Sequence, residues 1–180
     1  MKNSIAIFCG SHKGANPHFE TEIERLGSMM ASQHRTLIYG GSNKGYMGTV
    51  SNPFVASGGN LVAIIPHLFP HEVIHSQPAS HLMVVESMQE RKQQMLDLAD
   101  VFIALPGGVG TLDELTEVLS AIQLHLVDKT VALLNIDGFF DPFLQQLQSM
   151  VREGFMQQSL LDRILVASSA EEVLDKVDKD

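Results

Sequence analysis

Short apolar runs alternate along the chain with segments in which apolar residues recur every three or four positions. Runs of three to five apolar residues predict β-strands when turn-forming residues flank them. Seven such runs occur, at residues 5–8, 37–39, 61–65, 82–85, 101–105, 131–134 and 164–166. The spacing of three or four predicts helices with one buried face. It is clearest in two sets: Phe19, Ile23, Leu26 and Met30, and Leu112, Leu115, Leu119, Ile122 and Leu126.

The order of these elements predicts a doubly wound α/β fold. A strand that is apolar at every position, rather than at every second one, is buried on both faces. Strands of this kind that alternate with helices form a mostly parallel sheet with helices on both faces. The 180 residues, of which 44% are hydrophobic, suit a single domain over residues 1–180. In such a sheet, ligands bind beyond the carboxyl ends of the strands.

The charge and the cysteine content narrow the choice of partner and compartment. The chain has 12 basic and 21 acidic residues and a formal net charge of −9, which disfavours nucleic acid and anionic membranes as partners. Cys9 is the only cysteine, so no internal disulfide can form, and its place at the end of an apolar run predicts a packed thiol. No apolar window is long enough for a membrane span or a signal peptide, and we expect a cytoplasmic protein.

Three glycine-rich turns follow three of the predicted strands and would meet at one edge of the sheet. They are Cys9-Gly10-Ser11, Gly40-Gly41-Ser42 with Gly45 and Gly48, and the loop from Pro106 to Thr111. Any one of them is typical of an ordinary strand-to-helix turn, but three together favour a binding edge. In the third turn, the glycines at 107, 108 and 110 carry no Cβ that would keep a phosphate from the backbone N–H groups. Neither G-x-G-x-x-G nor G-K-S/T occurs, which favours a small phosphorylated ligand over a nicotinamide cofactor or a hydrolysed nucleoside triphosphate.

A charged cluster opens the helix predicted after the fourth strand. The sequence S-M-Q-E-R-K at residues 87–92 places Arg91 one turn into this helix, close to its apolar face. Arg91 could therefore point inward. From spacing alone, a solvated arginine paired with Ser87 or Glu90 is favoured, and Lys92 is open to the same two interpretations.

Glu114 also has two interpretations. The spacing Thr111-x-x-Glu114 matches a capping box, in which the hydroxyl and the carboxylate bind free N–H groups at the start of a helix. From the residues alone, this capping role is favoured over a catalytic one. Asp113 would stand near the positive end of the same helix.

Four segments together resemble the LONELY GUY (LOG) family. They are F-C-G-S at residues 8–11, Y-G-G-S-N-K-G-Y-M-G at 39–48, S-M-Q-E-R-K at 87–92 and P-G-G-V-G-T-L-D-E at 106–114. The resemblance implies a Rossmann-like homodimer that hydrolyses the N-glycosidic bond of nucleoside 5′-monophosphates and releases the free base and ribose 5-phosphate. In plants and many bacteria, the family's substrate is a cytokinin riboside monophosphate.

The resemblance also implies roles for individual residues. Arg91 and Glu114 match the arginine and the glutamate that are essential in the family, so they are the expected catalytic pair. Glu72, in the sequence P-H-E at residues 70–72, resembles a glutamate that contacts the substrate in the family. The other expected substrate-binding residues are Lys92, Gly107, Gly108, Val109, Gly110 and Thr111.

Neither a metal nor an organic cofactor is expected. His67, His71 and His75 recur every four positions, which suits metal ligands on one helix face, but Pro66 and Pro70 argue against a continuous helix there. Family members have been labelled lysine decarboxylases by sequence similarity. Decarboxylation needs a cofactor for which this sequence shows no site.

Three departures from the family pattern leave the identity of the base open. Gln89 follows Met88 where members usually have histidine, Ser42 replaces the third glycine of Y-G-G-G, and the chain contains no tryptophan. The competing function is a non-catalytic carrier of a nucleotide or of a phosphorylated cofactor resembling the molybdenum cofactor. Arg91 and Glu114 together favour the enzyme, because a carrier has no use for a carboxylate at the ribose.

Overall fold

Seven parallel strands form one sheet in the computed structural model of the chain, which describes residues 2–68 and 80–180. The strands are Ser4–Phe8 (β1), Thr36–Tyr39 (β2), Leu61–Pro66 (β3), His81–Val85 (β4), Val101–Ala104 (β5), Thr130–Leu134 (β6) and Ile164–Ala167 (β7). Their order across the sheet is β4-β3-β2-β1-β5-β6-β7, and every neighbouring pair is parallel. All seven predicted strands are confirmed, since each apolar run falls on a strand of the sheet.

Helices cover both faces of this sheet, as predicted. In the described ranges they are Pro17–Ser32 (α1), Gly45–Ser57 (α2), Met88–Leu98 (α3), Val109–Gln123 (α4), Asp141–Arg152 (α5), Gln158–Asp162 (α6) and Ala170–Lys179 (α7). Helices α1, α2 and α7 pack on one face, and α3 to α6 pack on the other. The doubly wound α/β class is therefore confirmed. No helix in the described part of the chain has both the length and the hydropathy that crossing a bilayer requires.

The winding of the sheet reverses between β1 and β5. From β1 the chain winds through β2, β3 and β4 on one side, and from β5 through β6 and β7 on the other. The loops that leave these two strands diverge and open a crevice, which is the usual ligand site of such a sheet. At their base the Gly10 N–H donates to the Pro106 carbonyl oxygen at 3.2 Å. A Cβ on Gly107 would lie 2.8 Å from the Gly10 nitrogen, so this approach requires glycine.

Two buried charged residues fasten α7 to the rest of the fold. Arg35, just before β2, is fully buried and donates to Asp178 Oδ2 at 2.6 Å. Glu22 of α1 accepts a hydrogen bond from the Ala170 N–H at 2.8 Å. A buried charge is tolerated when it has such partners. One contact holds each end of α7, so both residues serve the fold.

Candidate active site

The start of α3 determines where Arg91 points. Ser87 Oγ accepts a hydrogen bond from the Glu90 N–H at 3.1 Å, and Glu90 Oε2 accepts one from the Glu86 N–H at 2.8 Å. Together these bonds cap the helix, with the carboxylate bound one residue before the N-cap Ser87. Ser87 and Glu90, the two expected partners of a solvated Arg91, are therefore occupied with the backbone.

Arg91 lies in the interior, where only 8% of its side chain is exposed. Its Nε donates to the Ile64 carbonyl oxygen at 3.2 Å, and its Nη1 donates to Glu114 Oε1 at 2.6 Å. The guanidinium also lies against Gly40 at the end of β2, where a Cβ would overlap Nη2. The prediction of a solvated Arg91 is wrong, because Glu114 on α4 and the Ile64 carbonyl oxygen on β3 bind the guanidinium in the interior, where Gly40 leaves room for it.

The capping role predicted for Glu114 is also wrong. Helix α4 begins at Val109, its N-cap is Gly108, and no side chain caps it. Thr111 is therefore already inside the helix, and its N–H donates to the Gly108 carbonyl oxygen at 3.1 Å. Because the glycine turn enters the helix before Thr111, Glu114 lies beyond the first turn. Its carboxylate binds Arg91 instead of the backbone.

Burial dominates the electrostatics of this pair. It raises the pKa of Glu114 above that of an exposed glutamate, while the positive charge and the hydrogen bond of Arg91 oppose the rise. Burial also raises the pKa of the Cys9 thiol, and the negative charge of Glu114 adds to that effect. Cys9 is thus a neutral, packed thiol at the end of β1, as predicted, and it is poorly suited to act as a nucleophile.

The three predicted glycine turns do meet at one edge of the sheet. The Tyr46 N–H donates to the Gly10 carbonyl oxygen at 3.1 Å, which joins the first turn to the second. The hydrogen bond from Gly10 to Pro106 joins the first turn to the third. A Cβ on Gly108 or on Gly110 would meet nothing within 4 Å. The amino end of α4 therefore faces open space and is free of side-chain caps, as an anion site requires.

A pocket of about 250 Å³ occupies the crevice between the loops that follow β1 and β5. Its lining includes polar residues, with His12 Nδ1 3.1 Å from Ser11 Oγ and with Lys13 paired to Glu20. It also includes three aromatic side chains. Reasoning from the sequence did not assign most of this lining, because it comes from five separate places along the chain. The lining residues are Gly10, Ser11, His12, Lys13, Gly14, Phe19, Tyr46, Pro106, Gly107, Gly108 and Phe139.

Lys92 points to α4 as well, but on the outer side of the helix pair. Its Nζ lies 3.0 Å from Asp113 Oδ2 and also pairs with Glu117. The hydrogen bond to Glu117 is the main reason that the pKa of Lys92 is raised. Asp113, predicted to lie near the positive end of the helix, thus has a specific partner.

Several predicted residues lie outside the described residues. Glu72 is one of them, so its proposed contact with the substrate stays a prediction. His71 and His75 are two others. Among the residues that the structure describes, no three histidine, cysteine, aspartate or glutamate side chains come close enough to hold a metal ion.

Comparison with known proteins identifies the family. Residues 47–177 match a family model described as "Possible lysine decarboxylase". The cytokinin riboside 5′-monophosphate phosphoribohydrolase LOG of Oryza sativa subsp. japonica is 40% identical over 176 residues, which are 97% of this chain and 72% of that protein. The chain belongs to the LOG family. LOG3 of Arabidopsis thaliana, a protein named for the same activity, is 35% identical over 175 residues. These residues cover 97% of this chain and 81% of LOG3.

Solved structures share the fold of this LOG-family chain. The molybdenum cofactor binding protein from Rippkaea orientalis superposes with a TM-score of 0.73 at 24% identity, over 99% of this chain and 97% of its own. The Moco carrier protein from Chlamydomonas reinhardtii superposes with a TM-score of 0.74 at 19% identity. The match covers 99% of this chain and 97% of the Chlamydomonas chain. At these identities the likeness concerns the fold alone.

Proposed function

We propose that this LOG-family protein hydrolyses the N-glycosidic bond of a purine nucleoside 5′-monophosphate, with or without a prenyl group on the base. The products are the free base and ribose 5-phosphate. The observation that carries the proposal is the buried ion pair of Arg91 and Glu114, 2.6 Å apart, next to the glycine turns. The names of the rice and Arabidopsis relatives support the same reaction.

Glu114 is proposed as the carboxylate that acts at the anomeric carbon. As the bond from C1′ to the base nitrogen breaks, its electrons move to the base and positive charge develops on the ribose ring. A nearby carboxylate stabilises that charge or takes a proton from the attacking water, whose oxygen bonds to C1′. The proton is finally carried by the released base. Arg91 supports this role because its charge opposes protonation of the buried carboxylate.

Arg91 is proposed to orient the sugar as well. A guanidinium is always charged and offers several donors in one plane, so it can bind ribose or phosphate oxygens while it keeps its bond to Glu114. Its side chain is fixed by the Ile64 carbonyl oxygen and by Gly40. A fixed donor of this kind lowers the barrier mainly by holding the reacting carbon in place.

The turn before α4 is proposed to bind the 5′-phosphate through Gly107, Gly108, Val109, Gly110 and Thr111. The open space beside two of its glycines and the absence of a side-chain cap support this assignment. The adjoining pocket offers Ser11 as a further polar neighbour. Because binding of the phosphate can be used to orient the sugar, a nucleoside without phosphate should react far more slowly.

A homodimer in the cytoplasm is the proposed state of the protein. Of the apolar positions on α4 that could contribute to a dimer surface, Leu115, Leu119 and Ile122 pack in the core of the chain. Leu124 and Leu126, beyond the end of that helix, are 64% and 71% exposed. Light scattering on the purified protein measures the mass directly, and a monomer at every concentration contradicts the dimer.

The test is to incubate the protein with AMP and with isopentenyladenosine monophosphate, and to measure the free base by chromatography. Base release is expected from at least one of them. Glu114→Gln should keep nucleotide affinity and lose turnover by about 100-fold or more. If the wild type binds nucleotides and releases no base, the proposal fails and a carrier function replaces it.

A further inference from the structure

Two consecutive residues of α3 meet α4 at different places. Arg91 reaches Glu114 in the interior, whereas Lys92 reaches Asp113 and Glu117 on the outside. Asp113 and Glu117 are four positions apart, so they lie on one side of α4, and Glu114 stands between them in the sequence. Lys92 thus binds one α4 residue before Glu114 in the sequence and one after it.

The two helices pack on different strands of the sheet. Helix α3 packs on β2, β3 and β4, and α4 packs on β1 and β5. Both helices contribute to the same apolar core, and the ionic links between their side chains add to that packing. In the described residues those ionic links are the Arg91 pair and the two bridges of Lys92, which we call the Lys92 clasp.

The charge of the clasp argues against a direct phosphate contact by Lys92. One positive charge faces two negative charges, which leaves the cluster with a net charge of −1. Only 17% of the Lys92 side chain is exposed, and both carboxylates are bound to its ammonium group. A phosphate that approached this ammonium would meet two carboxylates at the same place.

We propose that Lys92 is a positioning residue, which holds α4 against α3 through Asp113 and Glu117 so that Glu114 meets Arg91 in the geometry of reaction. The inference rests on the proposed function and changes the role expected for Lys92 from direct substrate binding to positioning. A displacement of about 1 Å at a reacting group can cost about 100-fold in rate. Loss of the clasp is therefore expected to lower kcat rather than to raise KM.

Charge exchange across the clasp tests the proposal. Lys92→Glu and Glu117→Lys should each lower kcat for AMP, by about tenfold or more, with KM changed by less than about threefold. The double variant moves the lysine to α4, between Asp113 and the new carboxylate on α3, so it should regain kcat to within about threefold of the wild type. Lys92→Met serves as a second single variant if Lys92→Glu does not fold. Lys179→Glu, on the exposed side of α7, is the control for Lys92→Glu. It makes the same change of net charge away from the site and should leave kcat unchanged.

A phosphate-binding Lys92 predicts the opposite results. Glu117→Gln would then free the ammonium and lower KM, and the exchanged pair would stay inactive because the lysine has left α3. Lys92→Met would also abolish the preference for AMP over adenosine. If Lys92 instead positions Glu114, the same variant slows the hydrolysis of AMP and of adenosine by the same factor. Any of these three results overturns the inference.

The outcome can be separated from the fate of the proposed function. If the wild type releases no base from any monophosphate, the proposed function fails by itself. The same variants are then compared by the Kd of AMP, measured by calorimetry. The clasp predicts a Kd within about threefold of the wild type in each single variant, because Lys92 is not a phosphate ligand, and a loss of affinity of about tenfold or more in Lys92→Met contradicts it.

Discussion

Replacing Gly40 with alanine is expected to disable the site although neither proposed catalytic residue is substituted. Gly40 does not have a positive φ, so its backbone accepts alanine without strain. The new Cβ would overlap Arg91 Nη2 and would lie 3.2 Å from Arg91 Cζ and 3.1 Å from Met47 Sδ. The methionine end can bend away, but the guanidinium is held by Ile64 and Glu114. The substitution therefore acts on Arg91.

The size of the effect follows from the distances. Since nonbonded heavy atoms rest roughly 3.5 Å apart, the guanidinium must shift by roughly 1 Å. Such a shift weakens the 2.6 Å hydrogen bond to Glu114. Overpacking of a buried site costs about 1–3 kcal/mol in the free energy of unfolding. Complete separation of a buried ion pair would cost about 3–5 kcal/mol. If Arg91 and Glu114 shift together without separating, the expected cost is the lower one, about 1–3 kcal/mol. A displacement of about 1 Å should lower kcat by about 100-fold.

The assay is kcat for AMP together with the melting temperature. Gly58→Ala is the matched control, because a Cβ at this end of α2 meets nothing within 4 Å, while its φ of 67° makes alanine strained. It should cost about 1–2 kcal/mol in stability and leave kcat unchanged. Wild-type turnover and stability in Gly40→Ala would refute the reasoning. Equal losses of kcat in the two variants would show that stability, and not the position of Arg91, is responsible.

Three further predictions concern protonation, the buried thiol and the turn before α4. Because burial raises the pKa of Glu114 above the ordinary 4.5, kcat should fall as the pH falls through that raised pKa, and a pH profile that stays flat down to 4.5 contradicts the role of Glu114. Cys9 should not react with a disulfide reagent until the protein unfolds, since its pKa is raised by burial, and rapid labelling of the native protein would show that the thiol is accessible. Val109 is 84% exposed, so Val109→Glu should leave the melting temperature unchanged or raise it slightly. The same change should raise KM for AMP by about tenfold through repulsion of the phosphate, with Val109→Gln as the uncharged control, and an unchanged KM contradicts the phosphate assignment.

The strands were predictable because their signal is local. A parallel strand covered on both faces must be apolar along its length, and β1, β5 and β6 show this in the sequence itself. The glycine turns were predictable for the same reason, since each directly follows a strand. Their meeting at one edge follows from the parallel order of the sheet.

The ion pair could not be predicted from local spacing. The capping-box spacing occurs both at Ser87 with Glu90 and at Thr111 with Glu114, but only the first of these caps a helix. The difference arises from Gly108, which starts α4 early and leaves Glu114 free to meet Arg91, 23 residues away in the sequence. A contact between two helices depends on how both pack on the sheet, and a pattern within one helix carries no information about that.

The uncapped start of α4 has a consequence for how ligand binding and folding are linked. The first N–H groups of a helix need a partner, and a serine, threonine or aspartate usually supplies it. Here Gly108 supplies none. A bound 5′-phosphate would therefore take the place of the missing cap and stabilise the first turn of α4. Amide hydrogen exchange at residues 108–111 would then slow on addition of AMP and report occupancy of the site even in a variant that cannot cleave the bond.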